Sequence, residues 1–111
     1  MTRVQIIRTK EGHTRAFTCQ GHTEYSKRDA DVVCAGVSAI VINTINCLHD
    51  LLHEEVEVDF DEKNGGDITC NFLEDTGKEG ELLIDCMIHG LEWIEQQYGS
   101  QYLNHSIITI E

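Results

Sequence analysis

Residues 31–52 read DVVCAGVSAIVINTINCLHDLL, and the fold turns on this stretch. Val33, Val37, Ile40, Val41, Thr44, Leu48, Leu51 and Leu52 recur at three- and four-residue steps, the stripe of a helix with one apolar face. Asp29 or Asp31 stands where an N-cap is expected. On either side the apolar period drops to two. Upstream, Thr2–Arg8 and Thr14–Cys19 alternate around a Glu11-Gly12 turn, and Gln20-Gly21 ends the second strand. Downstream, Val56, Val58 and Phe60 alternate with acids, Asn64-Gly65-Gly66 is a strong hairpin signal, and Ile68, Cys70 and Phe72 resume the alternation. Leu83, Cys86, Met87, Gly90, Leu91, Ile94 and Tyr98 form a second helical stripe between about residues 80 and 98, stopped by Gly99. Ser106–Ile110 closes as a strand. The order ββαββαβ predicts an α+β fold, a single two-layer domain over residues 1–111, with a largely antiparallel sheet packed by two helices. Turn chemistry fixes the partners only within the two hairpins, so the strand order does not follow from the sequence.

The chain has 111 residues, 41 % of them apolar, enough for one modest core. It has no proline, internal repeat or low-complexity segment to mark a domain boundary. Twenty acidic against eight basic residues give a net charge of −12, which disfavours nucleic acid or an anionic bilayer as partner and favours a basic protein. The charge is segregated: residues 1–28 carry six basic and two acidic side chains (+4), residues 29–111 two basic and eighteen acidic (−16). Met1–Lys10 has no signal-peptide apolar run, and the most apolar run, Val32–Val41, falls short of a membrane span. A cytoplasmic protein with no membrane association is expected. Five cysteines, without a Cys-x-x-Cys pair, read as reduced thiols.

The chemistry concentrates in Gly21-His22, a polar loop over residues 23–28, and Asp31-Val32-Val33-Cys34 at the start of the first helix. A thiol attacks as its thiolate, which positive potential favours. Unpaired N–H groups at a helix start and a nearby imidazolium supply that potential, and the same N–H groups can receive an oxyanion. His22 lies twelve positions before Cys34, and the intervening loop is long enough to bring imidazole and sulfur together. Gly21 removes bulk beside the histidine. The residues alone leave a plainer reading open, with Cys34 a small core residue and His22 a loop residue. Cys19, Cys47, Cys70 and Cys86 fit core filling better. Asp31 either caps the helix or orients His22, and Ser38 either contacts the site or permits close helix packing. Two other classes compete with a thiol enzyme. His49 and His53, with Cys86 and His89, have ligand-like helical spacing for a metal, although no His-Glu-x-x-His motif occurs. A non-catalytic acidic adaptor for a basic protein surface would also explain the charge.

Gly21-His22, Asp31-Val32-Val33-Cys34-Ala35 and Val37-Ser38-Ala39 resemble the ribosomal-processing cysteine proteases of Gram-positive and related bacteria. In length and element order the resemblance extends over the whole chain. It implies a homodimeric α+β thiol protease with His22 and Cys34 as catalytic dyad, beside which Gly21, Asp31 and Ser38 stand as candidate supporting residues. No metal and no cofactor are expected, since the two His and Cys pairs need not meet in space. The substrate the resemblance implies is the basic large-subunit ribosomal protein twenty-seven, whose N-terminal extension is removed. Thr23 and Gly36 depart from the family pattern, which bears on loop shape and substrate preference. A further expectation is that the loop over residues 23–28, with Tyr25, forms a gate ordered by substrate.

Overall fold

The computed structural model describes the backbone of residues 1–21, 28–61 and 66–111, with side chains over the same ranges except those of residues 28 and 29. Its order is β1 (Thr2–Thr9), β2 (Thr14–Gln20), α1 (Arg28–Asp50), β3 (Val56–Asp61), β4 (Asp67–Phe72), α2 (Lys78–Tyr98) and β5 (Leu103–Ile110). This is the expected α+β arrangement of two helices and one sheet. The five strands lie in the order β3-β4-β2-β1-β5. Three of the four pairings are antiparallel, and β5 runs parallel to β1 from Thr2↔Leu103 to Thr9↔Ile110.

Alternation places Val4, Ile6, Phe17, Cys19, Ile68, Cys70 and Phe72 on one face of the sheet, where all are buried. Phe17 and Phe72 meet there as a tilted pair, ring centroids 6.2 Å apart. The helices cover this face with Val33, Val37, Val41, Ile45 and Leu48 from α1 and Ile84, Met87, Ile88, Leu91 and Ile94 from α2. The α2 stripe is rotated from the expected one: Ile84 and Ile88 are core residues, whereas Cys86 is exposed and Leu83 half-buried. Gly36 and Gly90 face the other helix, and a Cβ at either would meet Ile94 or Ile40 at 3.5 Å and 3.2 Å.

Two further expectations are corrected. Asp29 and Asp31 are not N-caps, because α1 already includes Arg28 and both acids lie inside it. Nor does α1 fall short of a membrane span, since Ala30–Asp50 is long and apolar enough to cross one, with a mean hydropathy of 1.7. Its Val- and Ile-rich core stripe produces that value, and the stripe packs on the sheet. Leu51 lies just past the helix and is exposed. His53, at φ 55°, turns the chain there, and Glu54 N–H donates to the Leu48 carbonyl at 2.9 Å, closing the helix end.

A polar clamp fixes the start of α2 to the β1–β2 hairpin. Glu81 accepts from the Thr14 N–H at 2.6 Å, the Thr14 hydroxyl at 2.8 Å and Arg8 Nε at 3.2 Å. Arg8 also reaches Asp85 at 2.7 Å. The Asn64-Gly65 turn and His22 lie outside the described residues, as do residues 23–27 of the expected gate; Arg28 opens α1.

Candidate active site

The site is built where β2 ends and α1 begins. Cys19, the last inward residue of β2, pairs with Val4 on one side and Ile68 on the other. Two residues later Gly21 adopts φ +82°, and a Cβ there would overlap the Met1 carbonyl oxygen. Both facts favour glycine at this position. The Gly21 N–H donates to Asp67 Oδ1 at 3.3 Å, tying the chain that leads into His22 to the first residue of β4.

Cys34 is half-buried on α1. It is the seventh residue of the helix as described, beside the first turn as expected. The N–H groups of the first described turn precede Cys34 by about one turn, and their field weakens over that distance. Asp31, Cys34 and Ser38 are spaced by three and four residues and share one helix face, Asp31 exposed and Ser38 half-buried.

Burial pushes the Cys19 thiol up to about 11, and the neighbouring Cys34 and Asp67 add to the rise. Cys34 and Asp67 therefore each lie close enough to Cys19 for their charge to act on its thiol. The structure thus gathers Gly21, Cys34 and two residues that the sequence reading did not assign to the site, Cys19 and Asp67. Cys19 carried no signal beyond a strand cysteine. Asp67 follows a turn motif, but only the β2–β4 pairing brings it to Gly21. Cys70 is buried in the sheet with its thiol pushed up to about 12, which keeps it protonated and inert. His49 and His53 line a shallow pocket with Glu54 and Glu55, and among the described residues no three His, Cys, Asp or Glu side chains group to hold a metal.

A half-buried thiol on a helix beside the end of a strand that leads into a histidine is the arrangement expected of a cysteine nucleophile. Residues 1–103 match the family model described as cysteine protease Prp. The chain belongs to that family. The ribosomal processing cysteine protease Prp of Bacillus subtilis is 33 % identical over 102 residues, covering 88 % of this chain and 90 % of the relative. That of Staphylococcus aureus is 29 % identical over 98 residues, covering 88 % and 92 %. Among solved structures, a Streptococcus mutans protein superposes with a TM-score of 0.86 at 25 % identity, covering 99 % of this chain and 96 % of that one. The S. aureus ribosomal processing protease Prp with a covalently linked product peptide gives a TM-score of 0.83 at 26 % identity, covering 96 % and 99 %. This member of the Prp family is accordingly a cysteine protease, which sets aside the metal-site and non-catalytic adaptor readings.

Proposed function

We propose that residues 1–111 form one cysteine endopeptidase domain that uses Cys34 as nucleophile and His22 as general base. Its substrate is the N-terminal extension of a basic large-subunit ribosomal protein, ribosomal protein twenty-seven. The observation that carries this reading is a half-buried Cys34 on α1, near enough to Cys19 at the end of β2 to act on its thiol, where the Gly21 N–H bonded to Asp67 leads the chain into His22. The S. aureus relative, holding a covalently linked product peptide, supports chemistry through an acyl-enzyme.

In this mechanism His22 takes the thiol proton and the Cys34 sulfur attacks the scissile carbonyl, forming a C–S bond and an oxyanion. The imidazolium then protonates the leaving amine as the C–N bond breaks. Water, deprotonated by His22, attacks the thioester carbonyl and releases the new carboxylate and the thiol. Neither metal nor cofactor takes part. Asp31 and Ser38 share the Cys34 face of α1, and they support the site by contacting the peptide or the imidazole. The −16 carried by residues 29–111 draws a basic substrate toward the site.

The enzyme works in the cytoplasm as a homodimer in this reading. Leu82, Cys86 and Trp93 are exposed along one face of α2, interrupted by His89, and this largely apolar stripe suits a second copy.

The test is incubation with the extended ribosomal protein and determination of the new N-terminus by mass spectrometry. Wild-type protein is expected to remove the extension, while Cys34→Ala and His22→Ala keep their circular dichroism spectrum and cleave nothing. Cleavage by Cys34→Ala at the wild-type rate refutes the dyad.

A further inference from the structure

Beyond the nucleophile, α1 borders an apolar groove that the proposed reaction has not used. Ile42 and Ile45 of α1 face Val58 and Phe60 of β3 across it, Ile68 forms its floor, and Asn46 closes one end. Val58 and Phe60 pair with Cys70 and Ile68, so they lie on the helix-covered side of the sheet. They are nevertheless 43 % and 48 % exposed, and Ile42 is 41 % exposed, because α1 stops short of covering the edge strand.

The groove is continuous with the site in two directions. Along α1, Cys34, Ser38, Ile42 and Ile45–Asn46 follow one another at three- and four-residue steps on a single face. Across the sheet, Cys19 pairs with Ile68 and Ile68 with Phe60, so one row of inward side chains runs from the neighbour of the nucleophile to the groove wall. Ile42 lies eight residues beyond Cys34, roughly 12 Å along the axis. An extended peptide advances about 3.3 Å per residue, so the groove lies about four residues from the scissile bond. Its volume, about 210 Å³, is below the roughly 300 Å³ of small-molecule pockets and suits one large side chain.

The β3 edge defines the rest of the ligand. Among the described residues β3 is the outermost strand, and its outward N–H and C=O groups face no other strand of the sheet. A peptide lying along it would alternate its side chains, one into the groove and the next toward the opposite face. There Glu57, Asp59 and Asp61 form an acidic row. We propose that this groove and edge form the specificity site of the protease: a large apolar substrate side chain about four residues from the scissile bond sits among Ile42, Val58 and Phe60, with its basic neighbours against the acidic row. The proposal rests on the protease reading above.

The test uses synthetic peptides spanning the extension of the ribosomal protein, each with one residue replaced by Ala, and compares wild type with Ile42→Trp, which fills the groove. With wild type, one large apolar residue three to five positions from the cleaved bond is expected to carry a tenfold or greater share of kcat/KM. With Ile42→Trp the parent peptide is expected to lose at least tenfold, mainly in KM, and the Ala peptide at that position to lose nothing further. Phe60→Ala, which opens the groove, provides the same comparison if Ile42→Trp does not fold. A wild-type and variant profile that coincide overturns the specificity site while leaving the protease reading intact. A fall in solution mass for Ile42→Trp with an unchanged profile assigns the groove to a second copy and also overturns it. If wild type cleaves no peptide, both readings fall.

Discussion

Replacing Gly21 by Ala tests how backbone geometry supports the site. The residue has φ +82°, where an L side chain costs about 1–2 kcal/mol. The added methyl would also overlap the Met1 carbonyl oxygen, so the chain start must move. That movement strains the first β1 bond, from the Thr2 N–H to the Tyr102 carbonyl at 2.9 Å, which is worth about 1 kcal/mol. The total is about 2–3 kcal/mol. Gly12 is a matched control: its φ is +90°, but a Cβ there meets nothing within 4 Å, leaving only the backbone cost. At roughly 4–8 °C per kcal/mol for a domain of this size, Gly21→Ala lowers Tm by about 10–20 °C and Gly12→Ala by about 5–10 °C. Calorimetry and urea titration of both variants measure this. Peptide cleavage below the Tm should fall much further in Gly21→Ala than its folded fraction, because Gly21 is bonded to Asp67 and joined directly to His22. Equal stability losses in the two variants, or full activity in folded Gly21→Ala, would refute the reasoning.

Three other outcomes are expected. Stability falls as pH rises through the range 9 to 12, because Cys19 and Cys70 stay protonated in the fold up to about 11 and about 12 while their unfolded forms titrate near 9.0; urea midpoints against pH measure this, and Cys70→Ala should flatten the slope while lowering the plateau. Glu81→Ala costs about 2–4 kcal/mol in calorimetry, since it leaves the Thr14 N–H and Arg8 without their shared acceptor, and a loss under 1 kcal/mol would show the clamp to be dispensable. Raising salt from 50 to 500 mM lowers kcat/KM for a lysine-rich peptide several-fold and leaves a neutral peptide of the same length nearly unaffected, if the acidic field steers encounter.

Most of the elements were legible because their periods are local. The Val33–Leu48 stripe and the two alternating hairpins state which face is buried, and Gly99 ends α2 where expected, at φ 109° with its N–H on the Glu95 carbonyl. What was not legible is what depends on distant partners. As described, α1 already includes Arg28, so its start does not follow from Asp29 or Asp31. Leu83, Ile84, Cys86, Met87 and Ile88 are closely spaced enough for two adjacent stripes, and only packing on α1 and the sheet selects Ile84 and Ile88. The same holds at the site. Cys34 and Gly21 stand in short motifs, whereas Asp67 enters through the β2–β4 pairing, which no turn encodes.

The parallel pairing of β1 with β5 has a kinetic consequence. It joins segments about a hundred residues apart, so it is the most costly loop in the molecule to close and the contact expected to form last. Both hairpins and the helix pair can assemble earlier from neighbouring chain. Until β5 arrives, β1 presents an open edge bearing Ile6 and Ile7 to any extended strand nearby. A second molecule's β5 would fit it as well as the chain's own, so refolding at high concentration should yield strand-exchanged dimers that dilution before refolding avoids.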